Sequence, residues 1–382
     1  MQYRKLGNTG VKVSALGFGC MRLPTLEPGK PAIDQDRAIK LIRDGIDNGI
    51  NYIDTAHMYH NNESEIVVGL ALKNGYREKV KLVTKCPVFY PDFTEPSHYD
   101  KYLDEQLEKL DVEYLDFYLF HGLNEKAFKE KILGLNLIER AKAAKAAGKI
   151  KHLGFSFHDK PEVLKTIIDT NVFDLMLVQY NILDQVNEEM IAYAAEKGLA
   201  VATMGSVGGG RLAGSPPESM ANWLSDGRSD FVDLALKFVL SNPNVSVALS
   251  GMGSEEMLQD NLNITAKDDY NRLIGDEKER IDNIATKFKE LSEVVCTGCG
   301  YCMPCPNEVN IKSIFTYLIR YQVYGQQDQA KLFYSQIGKV KWDPGKDATD
   351  CVECGECLEK CPQNIPIIDQ LKEAHKILGS SD

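Results

Sequence analysis

The sequence predicts an α/β chain: a (β/α)8 TIM barrel followed by a smaller, mostly α-helical domain. Three observations predict it. Between about residues 15 and 265, eight short apolar runs alternate with amphipathic helical patterns. Eight strand–helix units in roughly 250 residues match the size of such a barrel. Beyond them the composition changes, and eight of the ten cysteines fall between Cys296 and Cys361. The 382 residues are 43% hydrophobic and 26% charged, which suits a sizeable core and excludes whole-chain disorder.

The elements follow in chain order. Asn8, Thr9 and Gly10 lie between two short extended runs and predict a hairpin capping the barrel's bottom. The eight apolar runs occupy residues 15–19, 50–54, 80–85, 114–120, 152–156, 174–179, 199–204 and 245–249. Between them Ile39, Ile42 and Ile46 share one helical face, as do Leu103, Leu107 and Leu110. Gly49, Gly75, Gly148 and Gly198 each stand just before the next strand, where a helix closes in the left-handed conformation. A doubly wound open sheet is the alternative. It announces a dinucleotide site with G-x-G-x-x-G after the first strand, and the run Gly17-Phe18-Gly19-Cys20-Met21-Arg22 lacks the third glycine.

Residues 266–290 are charge-rich and helix-compatible, a connecting helix out of the barrel. The expected division is therefore 1–265 for the barrel, 266–290 for the connection and 291–382 for the cysteine domain. Residues 312–337 are helical in character. The net charge of −11 provides no positive field for nucleic acid. No apolar run reaches the roughly 18–20 residues of a membrane span, and the first ten residues have no signal-like apolar core. Cysteines crowded into one stretch read as metal ligands in a reducing compartment, so a cytoplasmic location is expected.

The second cysteine motif is Cys351-x2-Cys354-x2-Cys357-x3-Cys361-Pro362, the spacing of a bacterial [4Fe–4S] ferredoxin run. The first is Cys296-x2-Cys299-x2-Cys302-x2-Cys305-Pro306, one residue short before its last cysteine. That departure leaves open whether Cys305 serves its own cluster or the other. Analogy with two-cluster ferredoxins groups Cys296, Cys299, Cys302 and Cys361 on one cluster, and Cys351, Cys354, Cys357 and Cys305 on a second. Structural zinc is the bland alternative, but two triplets each closed by Cys-Pro exceed what zinc requires. Cys20 and Cys86 read as small buried hydrophobes.

Active residues of a (β/α)8 barrel sit at the C-terminal ends of its strands. Those ends carry Asp54 after the second strand, Lys85 after the third and His121 after the fourth, with Tyr59 five residues past Asp54. Singly, Asp54 and Lys85 read as a barrel-end ion pair and His121 as a core histidine. Together with the run 49–59, with Glu63-Ser64-Glu65, and with Lys85 and His121 in their strand contexts, they resemble the aldo-keto reductase family over nearly all of residues 1–265. The resemblance implies a catalytic set of Asp54, Tyr59, Lys85 and His121. His57 and His60 are expected at the rim, without a role.

Barrels often bind phosphate with the loops after strands seven and eight. Here those loops hold Gly205, Ser206, Gly208 and Arg211, then Gly251 and Ser254, the expected cap of a following helix. The resemblance adds Asp260 and Asn261 for adenosine, Ser156 and Gln179 for the nicotinamide carboxamide, and Gly19, Cys20 and Met21 at the first strand's end. Two departures accompany it. Phe157 follows Ser156 where the family has Asn. Residues 248–263 contain no Lys or Arg while Glu255 and Glu256 lie there, which leans the NAD(P) expectation toward NAD.

The whole chain resembles iron–sulfur aldo-keto reductases, a barrel with a ferredoxin-like domain holding two [4Fe–4S] clusters. The implied activity is hydride transfer between NAD(P)H and a small-molecule carbonyl or alcohol, with the clusters accessory. The alternative is an electron-transfer protein serving an external partner, its barrel binding nucleotide without turnover. A third use, one iron acting as Lewis acid in a lyase, needs an open iron site. Oxygen-labile clusters imply an anaerobic or microaerobic setting.

Overall fold

The structure, a computed structural model, describes residues 1–27, 32–292, 294–340 and 343–380. The amino-terminal strands β1 (Tyr3–Lys5) and β2 (Lys12–Ser14) pair antiparallel as the expected hairpin. Eight parallel strands follow: β3 (Leu16–Gly19), β4 (Tyr52–Asp54), β5 (Lys81–Cys86), β6 (Leu115–Leu123), β7 (Ile150–Phe157), β8 (Leu175–Gln179), β9 (Ala200–Met204) and β10 (Val247–Ser250). They close in the order β10-β3-β4-β5-β6-β7-β8-β9. Each expected apolar run is one barrel strand, and the open-sheet alternative is set aside.

Strand alternation sorts the side chains. Val83 of β5, Phe117 and Leu119 of β6, and Leu175 and Leu177 of β8 are buried in the barrel interior with Leu249 of β10. Leu6 and Val13 of the hairpin join the same cluster and close its bottom. Each such side chain contributes roughly 1.5–3 kcal/mol on burial. The hairpin is fastened by Asn8, whose N–H donates to the Gly198 carbonyl at 2.9 Å. Gly198 has φ +81°, and a Cβ there would lie 2.0 Å from the Asn8 amide nitrogen. Only glycine fits that turn.

The outer helices are α1 (Gln35–Asp47), α2 (Ser64–Ala71), α3 (Ser97–Leu110), α4 (Leu137–Ala146), α5 (Pro161–Ile168), α6 (Glu188–Glu196), α7 (Val232–Ser241) and α8 (Glu255–Ala266). Asp34 caps α1 by accepting from the Arg37 N–H, and Ser254 caps α8 by accepting from the Met257 N–H, as expected. Strand β6 runs past the expected end at residue 120. Its register with β7 shifts between Phe120 and Leu123, with Gly122 at φ +67°. Such a bulge re-aims a side chain at a barrel rim, and His121 stands on it.

The chain forms two compact units. One comprises Met1–Ser206 with Ala235–Ile274; the other comprises Val207–Leu234 with Gly275–Asp382. The expected barrel span thus maps onto the first unit apart from Val207–Leu234. The expected connecting helix over 266–290 is shorter: α8 ends at Ala266, turns follow, and only α9 (Glu277–Leu291) is helical there. There α10 (Ile311–Gln322), α11 (Gln327–Gln336), α12 (Glu356–Lys360) and α13 (Ile367–Leu378) confirm helical character. Buried Asp343 fastens the loop after α11 to the start of α10, accepting from Tyr317 Oη and Ser313 Oγ at 2.7 Å and from Asn310 Nδ2 at 2.8 Å. Among the described residues no helix is long and apolar enough to cross a membrane.

Candidate active site and cysteine centres

Asp54 ends β4 and Lys85 is the penultimate residue of the neighbouring β5, so pairing of adjacent strands brings the two together. Lys85 Nζ donates to Asp54 Oδ1 at 2.7 Å and to the Thr55 carbonyl at 2.7 Å. It also reaches Tyr59 Oη at 3.2 Å. Lys85 is 1% exposed and Asp54 3%. Burial pushes the Asp54 carboxyl up, and the Lys85 charge and hydrogen bond pull it back. His121 is buried, with its ring edge-on to Tyr59 at 6.1 Å and to Phe89 at 5.1 Å. Burial, then the Lys85 charge, holds its imidazole well below the usual value, so it is neutral at pH 7. Asp54, Lys85, Tyr59 and His121 therefore form one constellation.

A second layer escaped the sequence reading. Glu65 of α2 accepts from Thr84 Oγ1 at 2.6 Å and from Gln106 Nε2. Gln106 also donates to the Lys85 carbonyl at 3.1 Å, and Tyr118 Oη donates to Gln106 Oε1 at 2.7 Å. The network fixes β5 where it presents Lys85. Burial pushes the Glu65 carboxyl up to about 6 against those hydrogen bonds. His57, expected at the rim, is 5% exposed. Its Nε2 lies 3.1 Å from Glu105, and Tyr90 and Tyr102 meet its ring edge-on. Only the i, i+4 pair Glu105–Lys109 on α3 hinted at this in the sequence.

The expected cofactor residues fall into groups. Ser156 Oγ accepts from the Gly122 N–H at 2.7 Å, bracing the bulge beside His121. Gln179 donates to Asp184 at 2.7 Å, and a Cβ on Gly205 would lie 3.6 Å from its side chain. Ser206 Oγ lies 3.3 Å from Thr203 Oγ1. Gly19 faces the Ser250 carbonyl, and Gly251 and Gly253 lie against Arg22, so the ends of β3 and β10 meet. Asn261 Nδ2 donates to Ser250 Oγ at 2.8 Å, and Asp260 is half-buried on α8. Met21 is half-buried and Cys20 buried. Burial pushes the Cys20 thiol far up, so it is no thiolate. Phe157, next to Ser156 at the end of β7, is 1% exposed. Gly208 and Arg211 belong to the second unit.

In that unit Cys296, Cys299, Cys302 and Cys305 lie on the irregular stretch before α10. Cys351 and Cys354 precede α12, Cys357 lies within it and Cys361 follows. Burial pushes Cys296 up to about 11 and Cys302 up to about 12, and both feel Cys299 and Cys361. Burial also raises Cys357, which feels Cys351, Cys305 and Cys354. Charge interaction thus links Cys296 and Cys302 to Cys299 and Cys361, and Cys357 to Cys351, Cys305 and Cys354. A cavity walled by Cys302, Cys305, Cys351, Cys354 and Cys357, with Ile311 and Leu371, brings one cysteine of the first group beside all four of the second. Among the described residues no three His, Cys, Asp or Glu converge on a single metal position.

Comparison with known proteins agrees. Residues 15–274 match the model of the aldo/keto reductase family, and residues 295–365 match the 4Fe-4S dicluster domain. The uncharacterized oxidoreductase YqkF of Bacillus subtilis is 27% identical over 291 residues, covering 69% of this chain and 90% of that protein. L-galactose dehydrogenase of Arabidopsis thaliana is 27% identical over 285 residues, 69% of this chain and 87% of its own. The holo form of aldo-keto reductase AKR11C1 from Bacillus halodurans superposes with a TM-score of 0.64 at 27% identity, covering 75% of this chain and 96% of that one. An aldo/keto reductase from Klebsiella pneumoniae, solved with NADP and acetate, gives 0.61 at 23% identity and shares the fold, covering 75% and 96%. The match over residues 15–274 covers more than half of the sequence: the chain belongs to the aldo/keto reductase family of oxidoreductases and carries a 4Fe-4S dicluster domain at its C-terminal end.

Proposed function

We propose that the barrel moves a hydride between NAD(P)H and a small-molecule carbonyl or alcohol. The observation that carries this reading is Lys85 Nζ within hydrogen-bond reach of both the Asp54 carboxylate and the Tyr59 hydroxyl. Bound NAD(P)H supplies the hydride. The oxygen left on the substrate carbon then needs a proton, and Tyr59 Oη donates it. The adjacent Lys85 cation favours the phenolate that remains. Asp54 holds Lys85 in place and keeps it charged in a buried site. Neutral His121 donates a hydrogen bond to the carbonyl oxygen and orients it.

The nucleotide fits the residues present: Ser156 and Gln179 are buried polar groups at the ends of the neighbouring strands β7 and β8, and Gly19 and Gly251 leave room at the meeting of β3 and β10. Gly205, Ser206, Ser254, Asp260 and Asn261 extend that proposed set, with Cys20 and Met21 as its wall. NAD is the proposed partner on the strength of Glu255 and Glu256. Arg22, packed under Gly251, is a cation from outside residues 248–263 and makes NADPH the competitor to measure.

The two groups of thiols suit two [4Fe–4S] clusters: Cys296, Cys299, Cys302 and Cys361 hold one, and Cys351, Cys354, Cys357 and Cys305 hold the other. They are accessory to the hydride chemistry. Cys354, the exposed cysteine, with exposed Val352 beside it, supplies an edge for an external one-electron partner. Thiolate-bound clusters suit a reducing, oxygen-poor cytoplasm. The test is Tyr59→Phe. Turnover of a carbonyl panel should fall about 10²–10⁴-fold, the usual worth of a positioned acid, with nucleotide binding kept. Undiminished turnover would remove Tyr59 from the mechanism.

A further inference from the structure

The turn after strand β9 leaves the barrel unit and is built into the cysteine unit. Gly209, at φ +69°, lies so close to Thr297 that a Cβ would sit 2.5 Å from the threonine Cβ and 2.8 Å from its Cα. Thr297 stands between Cys296 and the following motif residues, so the turn lies directly on the first cysteine loop. On its other side Tyr324 Oη donates to the Arg211 carbonyl at 2.6 Å, and its ring packs on Gly214. Arg211 Nε donates to the Gly208 carbonyl at 3.1 Å, folding the half-buried side chain over its own turn. The Gly298 N–H donates to Cys296 Sγ at 3.4 Å, closing the loop that carries Thr297 against this turn. Near the other group, Lys372 is exposed and paired with Glu353 at 2.8 Å, so carboxylate and solvent screen it.

We propose that Arg211 is a positioning residue of the cluster held by Cys296, Cys299, Cys302 and Cys361: its fixed positive charge raises that cluster's reduction potential. This rests on the cluster reading above. A cubane bound by four thiolates is anionic and gains one more negative charge when it accepts an electron. A held cation beside it stabilises the reduced form more than the oxidised form. The close approach at Gly209 and the Tyr324 anchor fix the distance over which the charge acts.

The test is an anaerobic potentiometric titration of the full cluster-loaded chain. Dithionite donates the electrons, and the spin signal of the reduced clusters is followed. The wild type should show two steps. Arg211→Gln should move one step to lower potential and leave the other in place, with iron and sulfide content unchanged. Arg211→Lys, which keeps the charge, should return that step towards its wild-type position. The step that moves should be the one lost in Cys299→Ala. Two unmoved steps in iron-replete Arg211→Gln, or both moved equally, overturn the proposal. If Arg211→Gln loses iron, Arg211→Lys must hold both its iron and the wild-type potentials; otherwise the proposal also fails. A wild type that never binds [4Fe–4S] clusters refutes the cluster reading itself and takes this proposal with it.

Discussion

Lys85 and Asp54 are both buried and lie 2.7 Å apart. Removing one partner of such a pair leaves a charge with no counterpart. Lys85→Met should therefore cost about 3–5 kcal/mol in chemical denaturation. The double variant Lys85→Met, Asp54→Asn should recover a large part of that loss, whereas additive losses would show that the two do not act as a pair. Glu65 supplies a pH test. Its folded pKa of about 6 lies above the usual 4.5 of a glutamate, so the folded state holds the proton more tightly. That stability is fully present below the unfolded pKa and is lost as pH rises through the folded one. At pH 8 the buried charge costs about 2 kcal/mol. Glu65→Gln keeps an oxygen acceptor for Thr84 and Gln106. It should be more stable than the wild type at pH 8 by up to about 2 kcal/mol, and the gain should shrink towards zero near pH 4. An equal gain at both pH values would refute a titrating origin. Asp54 and Lys85 were legible because each stands at or next to a strand end, and Tyr59 and His121 through the motif around them. Glu105 and Gln106 were not, because nothing in a helical pattern says which side chain will meet His57 or the Lys85 carbonyl.

At the level of elements, helix α2 shows packing overriding propensity. Gly69 sits mid-helix, where glycine usually costs about 1 kcal/mol relative to alanine. A Cβ there would lie 2.6 Å from the Leu110 carbonyl oxygen at the end of α3. Gly69→Ala should therefore destabilise the protein by about 1–3 kcal/mol in thermal or chemical denaturation. A gain in stability would show that the α2–α3 contact is loose. All eight barrel strands were readable from their apolar runs, since buried parallel strands are near-continuously hydrophobic. The bulge at His121 and Gly122 was not. A one-residue register shift leaves no periodicity to detect, and it lengthened β6 past the end that periodicity implied. The break between α8 and α9 escaped for a related reason: charged residues suit an exposed helix and a turn equally.

Across the whole molecule, the least legible feature is the membership of Val207–Leu234 in the second unit. The sequence places that segment between two barrel strands, and contacts distant in sequence, such as Gly209 with Thr297, Tyr324 with Arg211 and Arg280 with Leu224, assign it elsewhere. Removing iron with a chelator should accordingly speed hydrogen exchange in 207–234 together with the cysteine stretches, while barrel strands β3–β8 keep their protection. Unchanged exchange in 207–234 would uncouple it from the clusters. The central claim concerns the barrel: Asp54, Tyr59, Lys85 and His121 reduce a carbonyl with a nicotinamide hydride. The most direct measurement is an anaerobic titration of cluster-loaded protein with NADH or NADPH deuterated at the transferable position. Nicotinamide and cluster absorbance are followed before and after a carbonyl panel is added. The account predicts nucleotide oxidation only once a carbonyl is present, deuterium on the former carbonyl carbon, and clusters that stay oxidised. Clusters that bleach without a carbonyl, and no deuterium in any product, would contradict it.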